Sequence, residues 1–563
     1  MDSLNESCWS GKSIWIEIFL YLVLAGLIAS ILILSWVPPV SKDALVHHLA
    51  VPKLYLKHGG VYEIPSMSFS YYPMNLDLLY IIPLYFGNDI APKFIHFGFA
   101  LLTAGLIFHY LQRKTNTVYA LLGAIFFLSV PIIIKLSITV YVDLGVIFFS
   151  TASLLLLLKW VESRFRVQFL ILSAILCGLA MGTKYNGLVT FFLLTLFVPF
   201  IASRYTKGKK PGFIRSAGYG IIFFFIALLF FSPWMVRNYN WKNNPIYPLY
   251  NQWFSPPHAS PENITSGEGA KEVNQGIFTF RSIIYHETWW QIALLPLRVF
   301  FQGKDGNPQF FDGKLNPFLL FLPIFAFYRI REGPQVIRNE KKIMLAFVIL
   351  FFGIAFFSSV LRMRYISPII PPLVILSVFG LKNIIGIVRE LHTNTTKRIG
   401  FGLVFLILTF FFTLNAYYVI SQFRYVDPFN YLNGTLSRDD YMSKYRREYP
   451  VMQYVNRHLS FDAQILFVFL GKRGYYCDRK YVLGEGKLGR LVEKSNDPKE
   501  VLSELKGIGI TNLLINYDIF QKWVKNNLTK EKQEVLKQFF EEYVRLLYYK
   551  DGFGVSALRN CFP

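Results

Sequence analysis

The chain has 563 residues, of which 53% are hydrophobic, 18% aromatic and 17% charged, and its mean hydropathy is +0.37. That balance excludes an ordinary soluble globular protein and predicts a polytopic membrane protein. The formal net charge of +23 does not call for nucleic acid, because much of the Lys and Arg lies in short loops between apolar runs, where it orients spans.

The first apolar run, 14–37, is long enough to cross a bilayer. It is too long, and too thinly flanked by positive charge, for a cleaved signal peptide. Further apolar windows lie at 92–111, 118–134, 143–159, 167–183, 187–203, 216–235, 315–330, 343–361, 365–382 and 399–421. Together they predict about eleven transmembrane helices. The segment 76–86 is also apolar, but it ends at Gly87-Asn88-Asp89 and reads as a half-span or interfacial helix.

Basic residues mark every second loop. Arg113 and Lys114 form one such group, and Lys159, Arg164 and Arg166 the next. Arg204 to Arg215, Arg329 to Lys342 and Lys382 to Arg398 continue the alternation. The positive-inside rule then places these loops and the N-terminus in the cytoplasm. It places the loops 38–91 and 237–314, and everything after about 422, outside the cytoplasmic (inner) membrane.

The outer loops are unusual. The first holds Asp43, six residues beyond the first run, followed by Ala44-Leu45-Val46-His47-His48 and an amphipathic stretch to Leu56 that suits the interface. The second is rich in Pro, Asn, Trp and Gln, with Trp253 and Trp289-Trp290. Those aromatics suit either a sugar or lipid face or simple interfacial anchoring.

Composition divides the chain into a membrane domain, 1–422, and a soluble extracytoplasmic domain, 423–563. In the latter, Ile465–Leu470 and Thr511–Asn516 read as strands. Pro498–Leu505 reads as a helix with Asp497 as N-cap. Residues 519–543 read as helical, and Arg545–Lys550 with Val555–Arg559 as a hairpin. The result is a small α/β domain with no phosphate loop or catalytic triad, suited to contact a substrate or to serve structurally. Asn263, Asn433 and Asn527 lie in Asn-x-Ser/Thr sequons, which matter only in a host that glycosylates them. Of four cysteines, Cys8, Cys177, Cys477 and Cys561, none forms a CxxC motif. Cys477 and Cys561 either pair or stay as thiols.

Ionisable groups gather at the outer ends of spans: Asp43, Lys135, Asp143, Lys184, Arg237, Arg362 and Arg364. Outer cations oppose the topology signal and need another reason. A phosphate or diphosphate leaving group wants Arg and Lys, and an acceptor hydroxyl wants a carboxylate base. Each residue also has a plain reading: Asp143 as a helix N-cap, the cations as snorkelling side chains, and His47 and His48 as packing residues. Asp43 and His47 at i and i+4 share a helix face, as a hydrogen-bonded pair or as ligands of a divalent metal. No cofactor is otherwise called for.

At these residues the chain resembles the GT-C superfamily of integral membrane glycosyltransferases. Within it, the likeness is to bacterial relatives of protein O-mannosyltransferases, the lipid A aminoarabinose transferase and RgtA/B/C/D-like enzymes. The carriers are Asp43 in the first outer loop, Tyr141-Val142-Asp143-Leu144, and Gly178-Leu179-Ala180-Met181-Gly182-Thr183-Lys184-Tyr185. Arg362-Met363-Arg364-Tyr365-Ile366-Ser367-Pro368 completes the set. The resemblance implies a polyprenyl-phosphate sugar donor, transfer with inversion to a hydroxyl on a glycan, lipid or protein, and Asp43 as base. It implies that Lys184, Tyr185, Arg237, Arg362, Arg364, Tyr365 and His47 contact substrate. Many members carry Asp-Glu at the catalytic position, whereas Ala44 follows Asp43 here. Asp143 is the first candidate for the second acidic role and His47 the other. A transporter or flippase of lipid-linked sugars is the alternative; it would place polar or broken segments at the midplane and show paired repeats.

Overall fold

The computed structural model describes residues 3–205, 212–254, 276–357, 360–484 and 486–559. The chain divides into two compact units. One comprises Met1–Ser35, Tyr71–Leu79 and Ala91–Asp427; the other comprises Trp36–Ser70, Tyr80–Ile90 and Pro428–Pro563. The loop 38–91 is thus shared between the units.

The first unit is helical. Among the described residues seven helices are long and apolar enough to cross a membrane: Ile14–Ser35, Ala91–Lys114, Asp143–Glu162, Gly187–Arg204, Phe213–Lys242, Met363–Glu390 and Asn394–Val426. Thr117–Ser129 and Pro131–Ser137 make an eighth if taken as one span, but they meet at 67°. Pro131 explains the break: it has no N–H to give and clashes with a preceding helical turn, so it starts a new helix. The remaining expected spans fall on shorter or more charged helices. Val167–Thr183 has 17 residues. Gln335–Phe356 has 22 but carries Glu340, Lys341 and Lys342. The window 315–330 is helical only over the eight residues Phe318–Phe325, between Pro317 and a run of turns. Pro323 inside that short helix limits its hydrogen bonding.

Close helix contact in this unit rests on small residues, as membrane packing favours. A β-carbon on Gly380 would collide with the Leu322 carbonyl, and one on Gly178 with the Ala227 carbonyl. Helix 167–183 therefore lies tight against 213–242, and 318–325 tight against 370–390.

The second unit holds a five-stranded sheet in the order β2-β1-β3-β5-β4. Its strands are β1 Gln464–Val468, β2 Lys480–Leu483, β3 Asn512–Asn516, β4 Val544–Lys550 and β5 Phe553–Leu558. β1 runs parallel to both β2 and β3, and β5 pairs antiparallel with β3 and β4. Alternation divides the side chains between two faces. Leu466, Val468, Leu513 and Ile515 pack with Val492, Val501, Leu505 and Phe539. Ile465, Phe467, Leu514 and Val555 pack with Val451, Met452 and Val455 on the other face. Burial on both faces is why β1 reads as an unbroken apolar run.

The expected elements of this α/β domain are present. Asp497 caps helix Pro498–Gly507 by accepting the Lys499 N–H at 2.8 Å. The β4–β5 turn has positive φ at Asp551 (52°) and Gly552 (83°), the pair that a tight hairpin turn requires. Two details differ. β2 is only four residues long and half-exposed, too short for a periodicity reading. The expected helix 519–543 is two, Tyr517–Asn527 and Lys530–Tyr543, because Thr529 caps the second. Cys477 is buried. Cys561 and the Asn263 sequon lie outside the described residues.

Candidate active site

Asp143 is the first residue of helix Asp143–Glu162, with Val142 as its N-cap. The carboxylate does not cap the helix, contrary to the plain reading. Its Oδ1 accepts from Lys184 Nζ at 2.7 Å, and the two side chains are 2% and 16% exposed. Asp143 Oδ2 is buried with no hydrogen-bond partner. Lys184 follows directly on helix Val167–Thr183 and turns inward rather than snorkelling. Its ammonium also sits 5.4 Å from the Tyr365 ring centre.

Arg364 lies against the same group, its guanidinium 5.3 Å from Tyr141 and 5.4 Å from Tyr365. It is within electrostatic reach of Asp143. Arg362 is half-buried, and its Nε has no hydrogen-bond partner. The segment carrying both arginines is pinned by the Met363 N–H, which donates to the Phe311 carbonyl at 2.8 Å. The structure therefore joins Asp143, Lys184, Arg364 and Tyr365.

Tyr185 and Arg237 stand beside this group in a different role. The Arg237 guanidinium donates to the carbonyls of Tyr71 at 2.7 Å and Tyr72 at 3.0 Å. It is held between Trp234 and Trp241, 4.6 and 5.0 Å from their rings. Asn238 donates to the Tyr71 carbonyl and to the Tyr185 hydroxyl, which itself donates to the Tyr247 carbonyl. Tyr72 meets the Tyr185 ring edge-on at 5.3 Å. Burial, with Tyr365 adding to it, raises the Tyr72 phenol to about 12. Arg237 and Tyr185 thus hold Tyr71 and Tyr72 in place within the helical unit.

Asp312, Asp305 and His96, which the sequence reading left out of the site, complete it. Lys135 donates to Asp312 Oδ1 at 2.8 Å and lies 3.3 Å from Asp305. Tyr418 donates to Asp305 at 2.7 Å. Burial pushes the Asp312 carboxyl up, but Lys135 and the Gly306 N–H outweigh it and hold the group below its ordinary value. The signal for these acids was their Asp-Gly turns, Asp305-Gly306 and Asp312-Gly313, in the long loop 237–314. The third is His96, fully buried. Its Nδ1 faces the Leu136 and Thr139 carbonyls at 3.0 Å each, and its Nε2 accepts from the Leu144 N–H at 3.0 Å. That pattern selects the neutral Nδ1–H tautomer and clamps the turn that presents Asp143.

Asp43 and His47 belong to the second unit. Asp43 is half-buried and precedes a short π-helix, Ala44–His48, with no side-chain cap bond. Such i→i+5 turns recur at functional sites. His47 stacks on Phe69 at 4.5 Å and lies 4.0 Å from His48. The segment is tied to the C-terminal part of its own unit. Tyr476 donates to the Pro39 carbonyl at 3.0 Å, the Tyr475 N–H donates to the Leu45 carbonyl at 3.2 Å, and Arg446 reaches the Val40 carbonyl. Lys53 donates to Asp478 at 2.8 Å. Instead of lying along an interface, residues 44–55 are largely buried. Among the described residues no group of three or more His, Cys, Asp or Glu is placed to hold a metal ion. Trp253, Trp289 and Trp290 are exposed.

Residues 86–236 match the family described as dolichyl-phosphate-mannose-protein mannosyltransferase. That stretch contains Asp143, Lys184 and Tyr185 and stops short of Arg237. Comparison with curated proteins finds no match. The fold is similar to that of ArnT from Cupriavidus metallidurans bound to undecaprenyl phosphate, at 15% identity and TM-score 0.53, over 97% of this chain and 98% of that one. It is also similar to the oligosaccharyltransferase AglB from Archaeoglobus fulgidus in complex with an inhibitory peptide and a dolichol-phosphate. There the identity is 9% and the TM-score 0.50, over 96% of this chain and 75% of that one. A complex of the Archaeoglobus fulgidus oligosaccharyltransferase with Zn and sulfate gives 10% identity and TM-score 0.52, over 93% and 71%. ArnT and AglB are GT-C glycosyltransferases, so the resemblance drawn from the sequence motifs holds, carried by the fold and by one family segment.

Proposed function

We propose that the protein transfers a sugar from a polyprenyl-phosphate-linked donor to an acceptor hydroxyl, with inversion, at the outer face of the inner membrane. The carrying observation is the buried Asp143–Lys184 pair with Arg364 and Tyr365 beside it, in a fold like that of lipid-phosphate-bound ArnT. Cations in a water-poor site favour a departing phosphate far more than they would in water.

The acceptor oxygen attacks the anomeric carbon as the bond from that carbon to the phosphate oxygen breaks. The electron pair leaves on polyprenyl phosphate, and the acceptor proton passes to the Asp43 carboxylate. Lys184, Arg362 and Arg364 hold the departing phosphate. Asp143 spends one oxygen on Lys184, so its assigned part is to aim that ammonium and offer its other oxygen to substrate. Arg237 and Tyr185, committed to backbone carbonyls, shape the site instead of binding phosphate. About eleven spans and a cytoplasmic N-terminus, from the alternation of basic loops, complete this reading.

The test is transfer by purified protein from a radiolabelled polyprenyl-phosphate sugar pool to envelope acceptors. Wild type forms labelled product and Lys184→Met does not. Movement of the labelled lipid across vesicles with no product from wild type would instead make the protein a transporter.

A further inference from the structure

Two helices that bear on the candidate active site at one end, Ala91–Lys114 and Ile370–Glu390, border a cavity further along. Its volume is about 390 Å³, and it lies where the end of helix Ala91–Lys114, the turns 328–334, helix Gln335–Phe356 and the last part of helix Ile370–Glu390 meet. Arg364 and Tyr365 precede that last helix, whereas Lys382 lies within it and Glu390 ends it. From Ile370 to Lys382 the helix rises roughly 18 Å.

Five cations line the cavity, against two carboxylates. Two of the cations are balanced. Lys114 donates to Glu340 at 2.8 Å and lies 3.4 Å from Glu162. Arg329 reaches Glu390 at 2.6 Å and Glu332 at 3.8 Å. The other three have no carboxylate partner among the described residues. Lys341, 8% exposed, donates to the Ala326 carbonyl at 3.0 Å and lies 4.6 Å from the Phe379 ring centre. Arg338 donates to the Arg331 carbonyl at 3.4 Å. Lys382 is exposed at the rim. Keeping a buried ammonium beside two more positive charges is costly unless an anion joins them. Phe379 and Ile387 add an apolar wall, which suits an amphiphile better than a hydrated ion.

We propose that this cavity binds a phosphate group, as borne by an anionic lipid headgroup or a soluble phosphate, on Arg338, Lys341 and Lys382. Arg gives a planar fork and Lys a point charge, the pairing that phosphate oxygens favour. Basic pockets between helices at the positively flanked side of a membrane protein are where anionic headgroups collect.

Native mass spectrometry of the full chain tests it, in micelles supplemented with phosphatidylglycerol, with phosphatidylcholine, or with inorganic phosphate. Arg338→Gln combined with Lys382→Gln alters only solvent-reaching side chains, so folding is retained, and Lys341→Met tests the buried partner. Phosphatidylglycerol adducts are expected on the wild type and at least about tenfold weaker on the double variant, with phosphatidylcholine adducts unchanged. Phosphate adducts that show the same loss, with phosphatidylglycerol indifferent, assign the site to a soluble phosphate. Equal binding of both anions by wild type and variants overturns the proposal.

Discussion

Lys184 Nζ stands 2.7 Å from Asp143 Oδ1 although 41 residues of chain separate them, and both side chains are largely buried. The pair joins the start of one helix to the end of the next, so charge and helix packing are set by the same contact. Removing one member leaves the other charge buried and uncompensated, a change that costs about 3–5 kcal/mol. Lys184→Met is therefore expected to lower the unfolding temperature in detergent and abolish transfer. The double variant Asp143→Asn with Lys184→Met is expected to regain much of the stability but none of the activity. Scanning fluorimetry beside a transfer assay separates these effects, and equal destabilisation of both variants would remove the pair from the account.

Asp43 is assigned the proton. Asp43→Asn keeps the shape and removes the base, so kcat is expected to fall roughly 10²–10⁴-fold while donor binding stays at the wild-type level. Isothermal titration with the donor lipid, run beside single-turnover transfer, reads both. Full turnover in this variant would assign the base elsewhere.

His96 acts through the turn it clamps. His96→Phe keeps the volume but loses all three hydrogen bonds, and Asp143 should lose its fixed position. Expected are a kcat loss of about tenfold or more, KM near wild type, and faster amide exchange across residues 136–144. His96→Gln restores part of the bonding and is expected to rescue part of kcat. If exchange in that turn is unaltered, the clamp is not what His96 provides.

Glu287 predicts a pH effect. Its carboxylate, 4% exposed, takes Arg281 at 2.6 Å and Arg298 at 3.0 Å. Burial pushes this carboxyl up, but the two arginines outweigh it and hold it below its ordinary value of 4.5. A carboxylate depressed in the folded state stabilises fully above its unfolded pKa and loses that contribution as pH falls through the folded one. Stability of the wild type is therefore expected to drop as pH falls below about 4.5. Glu287→Gln, less stable at neutral pH by about 3 kcal/mol, should show a flatter decline over that window. Thermal melts across the pH series check it; parallel curves would refute the linkage.

Much of this was legible in the chain, and the reasons are uneven. Apolar windows and Gly-marked turns report local physics, so the long spans, the Asp497 cap and the β4–β5 hairpin could be read directly. Short motifs located Asp143, Lys184 and Arg364 because each borders a span. What escaped is set by distant partners. Nothing near Arg237 announces that it serves the Tyr71 and Tyr72 carbonyls, and a buried histidine such as His96 looks like any apolar-face histidine. The break at Pro131 was hidden because hydropathy counts apolar residues and ignores which of them can donate a hydrogen bond.

The strand-rich part of the second unit holds the backbone on both sides of Asp43, through Tyr476 to Pro39, Arg446 to Val40 and Tyr475 to Leu45. Those holding residues are made more than four hundred positions after the loop they grip. The Asp43 loop therefore waits, during synthesis, for the far end of the chain before it can take its final shape. Premature termination between residues 427 and 446 leaves a protein with its apolar helices in place and this loop unsecured.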